Sequence, residues 1–549
     1  MHGYEAVAQA LRDHGVDTLF GVMGDSNMAM ITHFADALGG RYVAARHENG
    51  ALCMASGYAR TSGRVGIATV THGPGVSNAI TALRAAVTDH APIVVVVGDT
   101  PEDDPFHLQN IDHAALVGTT GAGFVQVTRP DDLRPGLAHA VSRALERHSP
   151  VFVNLAADLL MAQVHPDPGR DASPSWPDER PLDTFAPGDT TVGQAVDLLR
   201  AARRPVILAG AGAHAAYPVL AELAHLSGAL LCTTLLAHGA FRNHPHDLGV
   251  AGGFSTPTTR SLLAECDLLL VFGASLSDHT VAHGSLFGDI PVVQFDLDNA
   301  VLGRRGRGGM GVVAPATAAA EAVVAAAREA WATGPRPAWA TAVRPFEPPA
   351  TTYAEDGDGV DPRRVFARLD ELLPAERIVA TDGGHFIEWP CRFLSVPDQA
   401  GFLLAIGAGA VGMGLATGLG AALARPERAC VIAAGDGGLL MTLPELETAA
   451  RERIDALIVV VNDGAYSAEV HKLRAMGLPV TFARFHNPSF VALARSLGLA
   501  AEAVASTADI ETVLPRLIAA TGPRLLEIKA DPAVVSARLQ VPSPDDQVS

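Results

Sequence analysis

Short apolar runs of strand length, each closed by glycine or a polar turn and followed by a helix-length stretch, recur along the chain. Val16–Val22, Tyr42–Arg46, Val65–Thr71 and Ile93–Gly98 have the length and β-branched content of buried strands. Between them, Met28–Leu38, Asn49–Thr61 and Val76–Asp89 carry the wider apolar spacing of helices. The rhythm returns at Pro205–Gly212 and Asp267–Phe272, with an Ala-rich helix over Ala314–Ala332. It returns again at Arg377–Thr381, Ala429–Ala434 and Ala456–Val461. Strands alternating with helices predict parallel sheets covered on both faces. Two Pro-rich stretches, 161–190 and Gly334–Ala350, read as linkers, and Pro542–Ser549 as a disordered polar tail. The expected fold class is therefore α/β: three doubly wound parallel-sheet domains over 1–165, 190–335 and 355–535.

Composition narrows the partners more than the fold. The 549 residues include 40 basic and 59 acidic ones, a net charge of −19, which argues against nucleic acid or an anionic membrane. Aromatics make up only 5% against 48% hydrophobic residues, so the cores must be built from Ala, Val and Leu. Cys53, Cys232, Cys266, Cys391 and Cys430 are scattered without a CxxC pair, which leaves neither a disulfide framework nor a zinc motif. Met1–Gly21 lacks the basic-then-apolar pattern of a signal peptide, and the cytoplasm is the expected compartment.

The stretch Ala429–Glu469 carries the most specific chemistry. Its first strand ends in Gly435-Asp436-Gly437, Thr442 and Glu445 form a capping-box pattern for a helix to about Arg453, and its second strand ends in Asn462-Asp463-Gly464-Ala465-Tyr466. A right-handed βαβ crossover puts both polar turns at the carboxyl edge of one sheet, where open α/β sheets bind ligands. Either turn alone is an ordinary surface Asp-Gly turn. Together they offer two carboxylates and free carbonyls, a donor set suited to Mg²⁺.

The GDG triplet followed by Asn462-Asp463 closely resembles the diphosphate-binding motif of thiamine diphosphate enzymes. The resemblance implies that Asp436 and Asp463 hold Mg²⁺ through their side chains and Ala465 through its carbonyl. Gly435, Gly437, Gly438 and Tyr466 would then lie against the cofactor. One departure is visible, since Asp463 stands where the family's motif has a second Asn. Arg46-His47-Glu48-Asn49-Gly50 and the residues after it resemble the glutamate segment of the pyrimidine-binding domain. Thr71–Ala79 resembles the Gly-Pro-Gly loop, with Gly73 and Asn78 as cofactor neighbours. By that likeness Glu48 hydrogen-bonds the aminopyrimidine and favours its imino form, a role that calls for a carboxyl in largely apolar surroundings.

His72 replaces the usual Ser and becomes a candidate proton carrier. Gln109 lies where acetolactate synthases keep an active-site Gln, with His107 and His113 as further candidates beside it. Gly384 and His385 are placed near the diphosphate, and Ala408–Ala416 resembles the stretch that props the bent cofactor. Val411, 25 residues before Asp436, takes the propping position, with Met413 available to help. Glu469 matches a Glu that assists protonation in pyruvate decarboxylases, and His471 and Lys472 follow it on the same helix. In the central domain Gly210-Ala211-Gly212 is an incomplete nucleotide fingerprint, and Ser275-Leu276-Ser277-Asp278 departs from the FAD-associated stretch, which argues against FAD.

The resemblance spans nearly the whole chain and implies a thiamine diphosphate- and Mg²⁺-dependent enzyme acting on a small 2-oxo acid. Gln109 favours a carboligase of acetolactate synthase type, in which the acyl unit is added to a second carbonyl compound. Glu469 favours the alternative, a decarboxylase releasing an aldehyde. A flavin- or nicotinamide-dependent oxidoreductase rests on Gly210-Ala211-Gly212 alone. Glu48 and Asp436 fall in different domains that one cofactor must bridge; in the family that bridge spans two chains, so the resemblance implies a homodimer or homotetramer.

Overall fold

The computed structural model describes residues 1–101, 104, 106–164, 187–305, 309–340 and 352–536. The first linker lies largely outside the described residues, most of the second does as well, and so does the polar tail. The described residues fold as three six-stranded parallel sheets flanked by helices, the α/β class that the apolar runs predict. The first contains β1 (Thr18–Gly21), β2 (Arg41–Ala44), β3 (Gly66–Val70), β4 (Ile93–Gly98), β5 (Gly123–Val127) and β6 (Val151–Leu155), in the order β2-β1-β3-β4-β6-β5. The second contains β7 (Pro205–Ala209), β8 (Leu230–Thr233), β9 (Asp247–Val250), β10 (Leu268–Phe272), β11 (Val292–Asp296) and β12 (Met310–Val313), in the order β12-β11-β10-β7-β8-β9. The third contains β13 (Arg377–Asp382), β14 (Phe402–Ala405), β15 (Ala429–Gly435), β16 (Ala456–Asn462), β17 (Ala500–Val504) and β18 (Arg524–Lys529), in the order β14-β13-β15-β16-β18-β17.

Residues of Met1–Pro177, Tyr353–Pro390 and Leu403–Ser549 form one compact unit, so the first and third sheets share it. Every residue of β4 and β16 is buried, as expected of central strands covered on both faces. The two sheets share one core, in which Leu52, Ala55 and Val95 belong to the same cluster as Leu415, Leu419 and Ile432. Its closest crossing is between the Glu48–Ser62 and Gly414–Ala424 helices. A Cβ on Gly57 would lie 1.9 Å from the Thr417 carbonyl oxygen, and one on Gly420 would lie 1.9 Å from that of Met54. Only glycine lets these backbones approach so closely.

The other unit, Asp178–Thr352 with Cys391–Phe402, has the central sheet as its core. There the strand read as Pro205–Gly212 ends at Ala209, and Gly210-Ala211-Gly212 enters a 3₁₀ turn instead. A Cβ on Gly210 would lie 2.0 Å from the Gly273 carbonyl oxygen. These glycines therefore seat the ends of β7 and β10 against each other at the point where the strand order reverses. Asp278, from the stretch that departs from the FAD pattern, is ion-paired with Arg305.

One expectation fails locally. The Thr442–Glu445 capping box does not form: a helix starts at once at Asp436 (Asp436–Met441), and a second runs over Glu445–Arg451 with Pro444 as its N-cap. Glu445 caps nothing because its carboxylate is used elsewhere. Its Oε1 accepts from the backbone N–H groups of Arg46 and His47 at 3.1 Å each, and its Oε2 accepts from Thr448 Oγ1 at 2.7 Å. No helix among the described residues is long and apolar enough to cross a membrane.

Candidate active site

At the carboxyl edge of the third sheet, Asp436 opens its helix directly after β15 and is 4% exposed. Its Oδ1 accepts from Gly437 N at 2.7 Å, and its Oδ2 accepts from Gly464 N at 2.9 Å. The turn after β16 is thereby folded onto the turn after β15, and the two carboxylates converge. Burial, reinforced by the nearby Asp463, pushes the Asp436 carboxyl up to about 6. Asp463 is largely buried, and its Oδ2 accepts from Ser467 Oγ at 2.7 Å. Ala465 closes the turn. A Cβ on Gly437 would sit 2.4 Å from the Tyr466 ring, so a larger residue there would displace that half-exposed ring. Among the described residues no group of three or more His, Cys, Asp or Glu side chains forms a metal cluster. Two carboxylates and one carbonyl still suit Mg²⁺, which takes its remaining oxygens from phosphate and water.

The strand-end turn after β13 lies beside this pair. Gly384 has φ +139° and leads into His385, whose Nε2 accepts from Ser536 N at 2.9 Å. His385 Nδ1 is buried, has no hydrogen-bond partner and lies 3.7 Å from Asp463 Oδ2. The His471 ring packs at 5.0 Å from that of His385, and burial lowers the His471 pKa. Asp382, at the end of β13, is fully buried; it accepts from Gly383 N (2.7 Å), Gly412 N (3.0 Å) and Met413 N (3.4 Å). It thus pins the loop that carries Val411. Val411 is 42% exposed, and Cβ atoms built on Gly383 and Gly438 would touch its methyl groups. Met413 turns inward to the shared core and does not join Val411 at the surface.

At the carboxyl edge of the first sheet, Glu48 begins its helix, with His47 as the N-cap. Glu48 Oε2 accepts from Asn78 Nδ2 at 3.1 Å, and Gly75 lies close against its Oε1. The loop between them turns at Gly73, with φ +63°, where a Cβ would lie 2.4 Å from the Gln109 carbonyl oxygen. Gly73 N donates to His113 Nε2 at 3.1 Å, so His113 carries its proton on Nδ1 and donates to Asn154 Oδ1 at 2.9 Å. Asn154 in turn donates to Asp99 Oδ2 at 2.6 Å. His72 Nε2 donates to Gln109 Oε1 at 2.8 Å, and the His107 ring stands edge-on to it. Burial lowers the His72 pKa and favours the neutral ring, whose Nδ1 is buried without a partner. Glu469, by contrast, is more than half exposed and pairs with Lys472 at 3.4 Å.

Comparison with known proteins decides the family. The N-terminal TPP binding domain of thiamine pyrophosphate enzymes matches residues 1–116, their central domain residues 192–323, and their C-terminal TPP binding domain residues 382–528. The chain belongs to the thiamine pyrophosphate enzyme family. Its members supply the coenzyme reading for the two sheet edges. The chain is 27% identical to the acetolactate synthase isozyme 2 large subunit of Escherichia coli, over 97% of this chain and 96% of that one. It is 29% identical to the acetolactate synthase large subunit of Parasynechococcus marenigrum, over 90% and 82%. In fold it matches a thiamine diphosphate-dependent 4-hydroxybenzoylformate decarboxylase of Rhodococcus jostii, with TM-score 0.79 and 24% identity over 97% of this chain and 99% of that one.

Sequence reasoning found the two edges and missed three polar residues that organise them. Asp382 reads as a strand-end turn residue and Asn487, in His486-Asn487-Pro488, as a loop. Glu445 reads as a helix cap. None of the three has a local pattern that separates it from these ordinary uses.

Proposed function

We propose that this thiamine diphosphate enzyme is an Mg²⁺-dependent carboligase of acetolactate synthase type, decarboxylating a 2-oxo acid and adding the acyl unit to a second carbonyl compound. The supporting observation is the His72–Gln109 pair beside the Gly73 turn. With its oxygen committed to His72, Gln109 presents amide N–H groups to an acceptor carbonyl, where negative charge develops as the new bond forms. His72, kept neutral by burial, keeps a lone pair on its buried Nδ1.

Bound thiamine diphosphate would supply the carbon nucleophile and the electron sink for CO₂ loss. The chain's own residues do the rest. Asp436, Asp463 and the Ala465 carbonyl would hold Mg²⁺ and with it the diphosphate, beside the close-approach glycines 384 and 437. Val411, exposed above Gly383 and Gly438, would prop the coenzyme. Glu48, steadied by Asn78, would hold the pyrimidine and exchange its proton. A homodimer or homotetramer goes with this reading. Val411, Met441, Tyr466 and Phe485 are apolar and 40–57% exposed around the third sheet's edge, a surface suited to a partner copy.

A non-ligating decarboxylase is the second reading. It is favoured by Glu469, one turn beyond Tyr466 on the Ser467–Ala475 helix. Product analysis with Mg²⁺, thiamine diphosphate and a panel of 2-oxo acids, with and without aldehyde acceptors, separates the two. Acyloin or 2-hydroxy-2-acyl acid is expected. Aldehyde as the sole product would replace the first reading by the second, and an active monomer in light scattering would remove the oligomer.

A further inference from the structure

The turn that bears Asp463 and Ala465 is strapped from outside by a segment some twenty residues further along the chain. Ala465 and Arg484 form an antiparallel bridge. Tyr466 N donates to the Ala483 carbonyl at 2.8 Å, Phe485 N donates to the Gly464 carbonyl at 2.8 Å, and the Tyr466 and Phe485 rings meet at 4.7 Å. At the end of this strap Asn487 turns inward. Its Nδ2 donates to Asp436 Oδ2 at 2.6 Å and to Asn462 Oδ1 at 3.0 Å. One amide nitrogen therefore ties the end of β15 to the end of β16.

Chemistry fixes the direction of that amide, because the opposite flip would set its oxygen against a carboxylate oxygen. The tie is anchored further in. Asn462 Nδ2 donates to Glu527 Oε1 at 2.7 Å; Glu527 is 1% exposed on β18 and also holds Lys529. With Gly437 N on Oδ1, and Gly464 N and Asn487 on Oδ2, the rotation of the Asp436 carboxylate is set.

We propose that Asn487 is a positioning residue for the cation site: it fixes the Asp436 carboxylate and holds the Asp463–Ala465 turn against it, so the oxygen donors are arranged before a cation arrives. Asn487 itself does not touch the cation. The inference rests on the Mg²⁺ reading above. It assigns a role to a loop residue some fifty positions beyond Asp436, outside both turns that carry the donors. Partners that orient a metal ligand typically change metal affinity about 10- to 100-fold when removed.

The test is direct Mn²⁺ binding to the full-length protein in the presence of thiamine diphosphate, with free Mn²⁺ read by electron paramagnetic resonance. Asn487→Ala is expected to raise the Mn²⁺ dissociation constant at least about tenfold, with the urea midpoint of the metal-free protein little changed. Asn487→Ser, which keeps a shorter donor, serves if the alanine variant does not fold, and the same direction is expected. Equal Mn²⁺ affinity in wild type and variant would overturn the role. So would an affinity loss matched by an equal loss of metal-free stability, which would make Asn487 a general brace. Failure of the wild type itself to bind Mn²⁺ would remove the cation site, and with it both readings.

Discussion

The first and third sheets have the same strand order: β2-β1-β3-β4-β6-β5 maps strand for strand onto β14-β13-β15-β16-β18-β17. Even their shared crossing obeys this equivalence. Gly57 lies on Thr417 and Gly420 on Met54, so each glycine comes three residues after the residue that the other glycine touches. The loops at the two carboxyl edges have nevertheless parted company. After β3 stands His72-Gly73-Pro74, and after the equivalent β15 stands Asp436-Gly437-Gly438. After β2 comes Glu48, and after β14 comes the Val411 loop. After β4 comes the Gln109 loop, and after β16 the Asp463 turn. On the proposed reading, one scaffold carries proton-handling groups at one edge and anion-and-cation-holding groups at the other. The topology fixes only where chemistry is presented.

That division predicts a double dissociation, and it should give the largest effect. Glu48→Gln keeps the size and the Asn78 contact but removes the exchangeable proton. Turnover should fall about 10²- to 10⁴-fold while thiamine diphosphate and Mg²⁺ still bind. Asp436→Ala should do the reverse and abolish cation-dependent coenzyme binding, as titration calorimetry would read. Coenzyme affinity lost equally in both variants would mean that the two edges do not divide the work.

The next effect concerns pH. Burial pushes both Asp382 and Asp436 up to about 6 from an ordinary 3.8. A carboxyl whose folded value is raised contributes stability below its unfolded value and loses that contribution as the pH rises through the folded value. Each should therefore cost the metal-free protein on the order of 2–3 kcal/mol between about pH 4 and 6. If Asp436 holds Mg²⁺ as proposed, the ion with coenzyme would bind its ionised form, so the stabilisation it provides should grow over the same window. Asp382, spent on backbone N–H groups of the Val411 loop, gains no such relief. Asp436→Asn should remove the Mg²⁺-dependent part of the melting-temperature profile and leave the Asp382 slope. A Mg²⁺ increment that is flat with pH would break the assignment.

How much of this was legible in the sequence follows from how local each signal is. Some of the buried strands were: β4 keeps the bounds that its apolar run predicts, and β16 runs one residue further, to Asn462, whereas the equally buried β6, β8 and β14 are not among the strands read from the sequence. The turns that present Asp436, Asp463 and Glu48 were as well, since their residue types and spacing lie within single short segments. Glu445 was not. Thr442 and Glu445 satisfy a capping pattern, yet the backbone N–H groups that Glu445 meets belong to Arg46 and His47, about 400 positions earlier. Asp382 and Asn487 fail for the same reason, because their partners come together only through the parallel crossovers.

A smaller effect sharpens the equivalence of the two crossing helices. Gly57→Ala and Gly420→Ala each place a methyl group against a backbone carbonyl, which should cost about 1–3 kcal/mol of urea-measured stability. The two values should be similar, because the sites are equivalent. A large loss at one and none at the other would show that the crossing is not symmetric in energy.

The smallest effect tests the first sheet's edge alone. Gln109→Ala removes the amide donors offered to an acceptor carbonyl and frees His72 Nε2, which now donates to Gln109 Oε1 at 2.8 Å. If Gln109 steadies charge only while the second carbonyl is attacked, its loss should slow that step and leave CO₂ release almost unchanged. One hydrogen bond of this kind corresponds to about 1 kcal/mol. The ratio of ligated product to aldehyde should then fall several-fold, to be read by chromatography at fixed 2-oxo acid and acceptor. Glu469→Ala is the control from the third sheet's edge, because an exposed carboxylate paired with Lys472 should leave that ratio alone. A shift on changing Glu469 with none on changing Gln109 would move the final proton or carbonyl step from the first edge to the third, and would favour the decarboxylase.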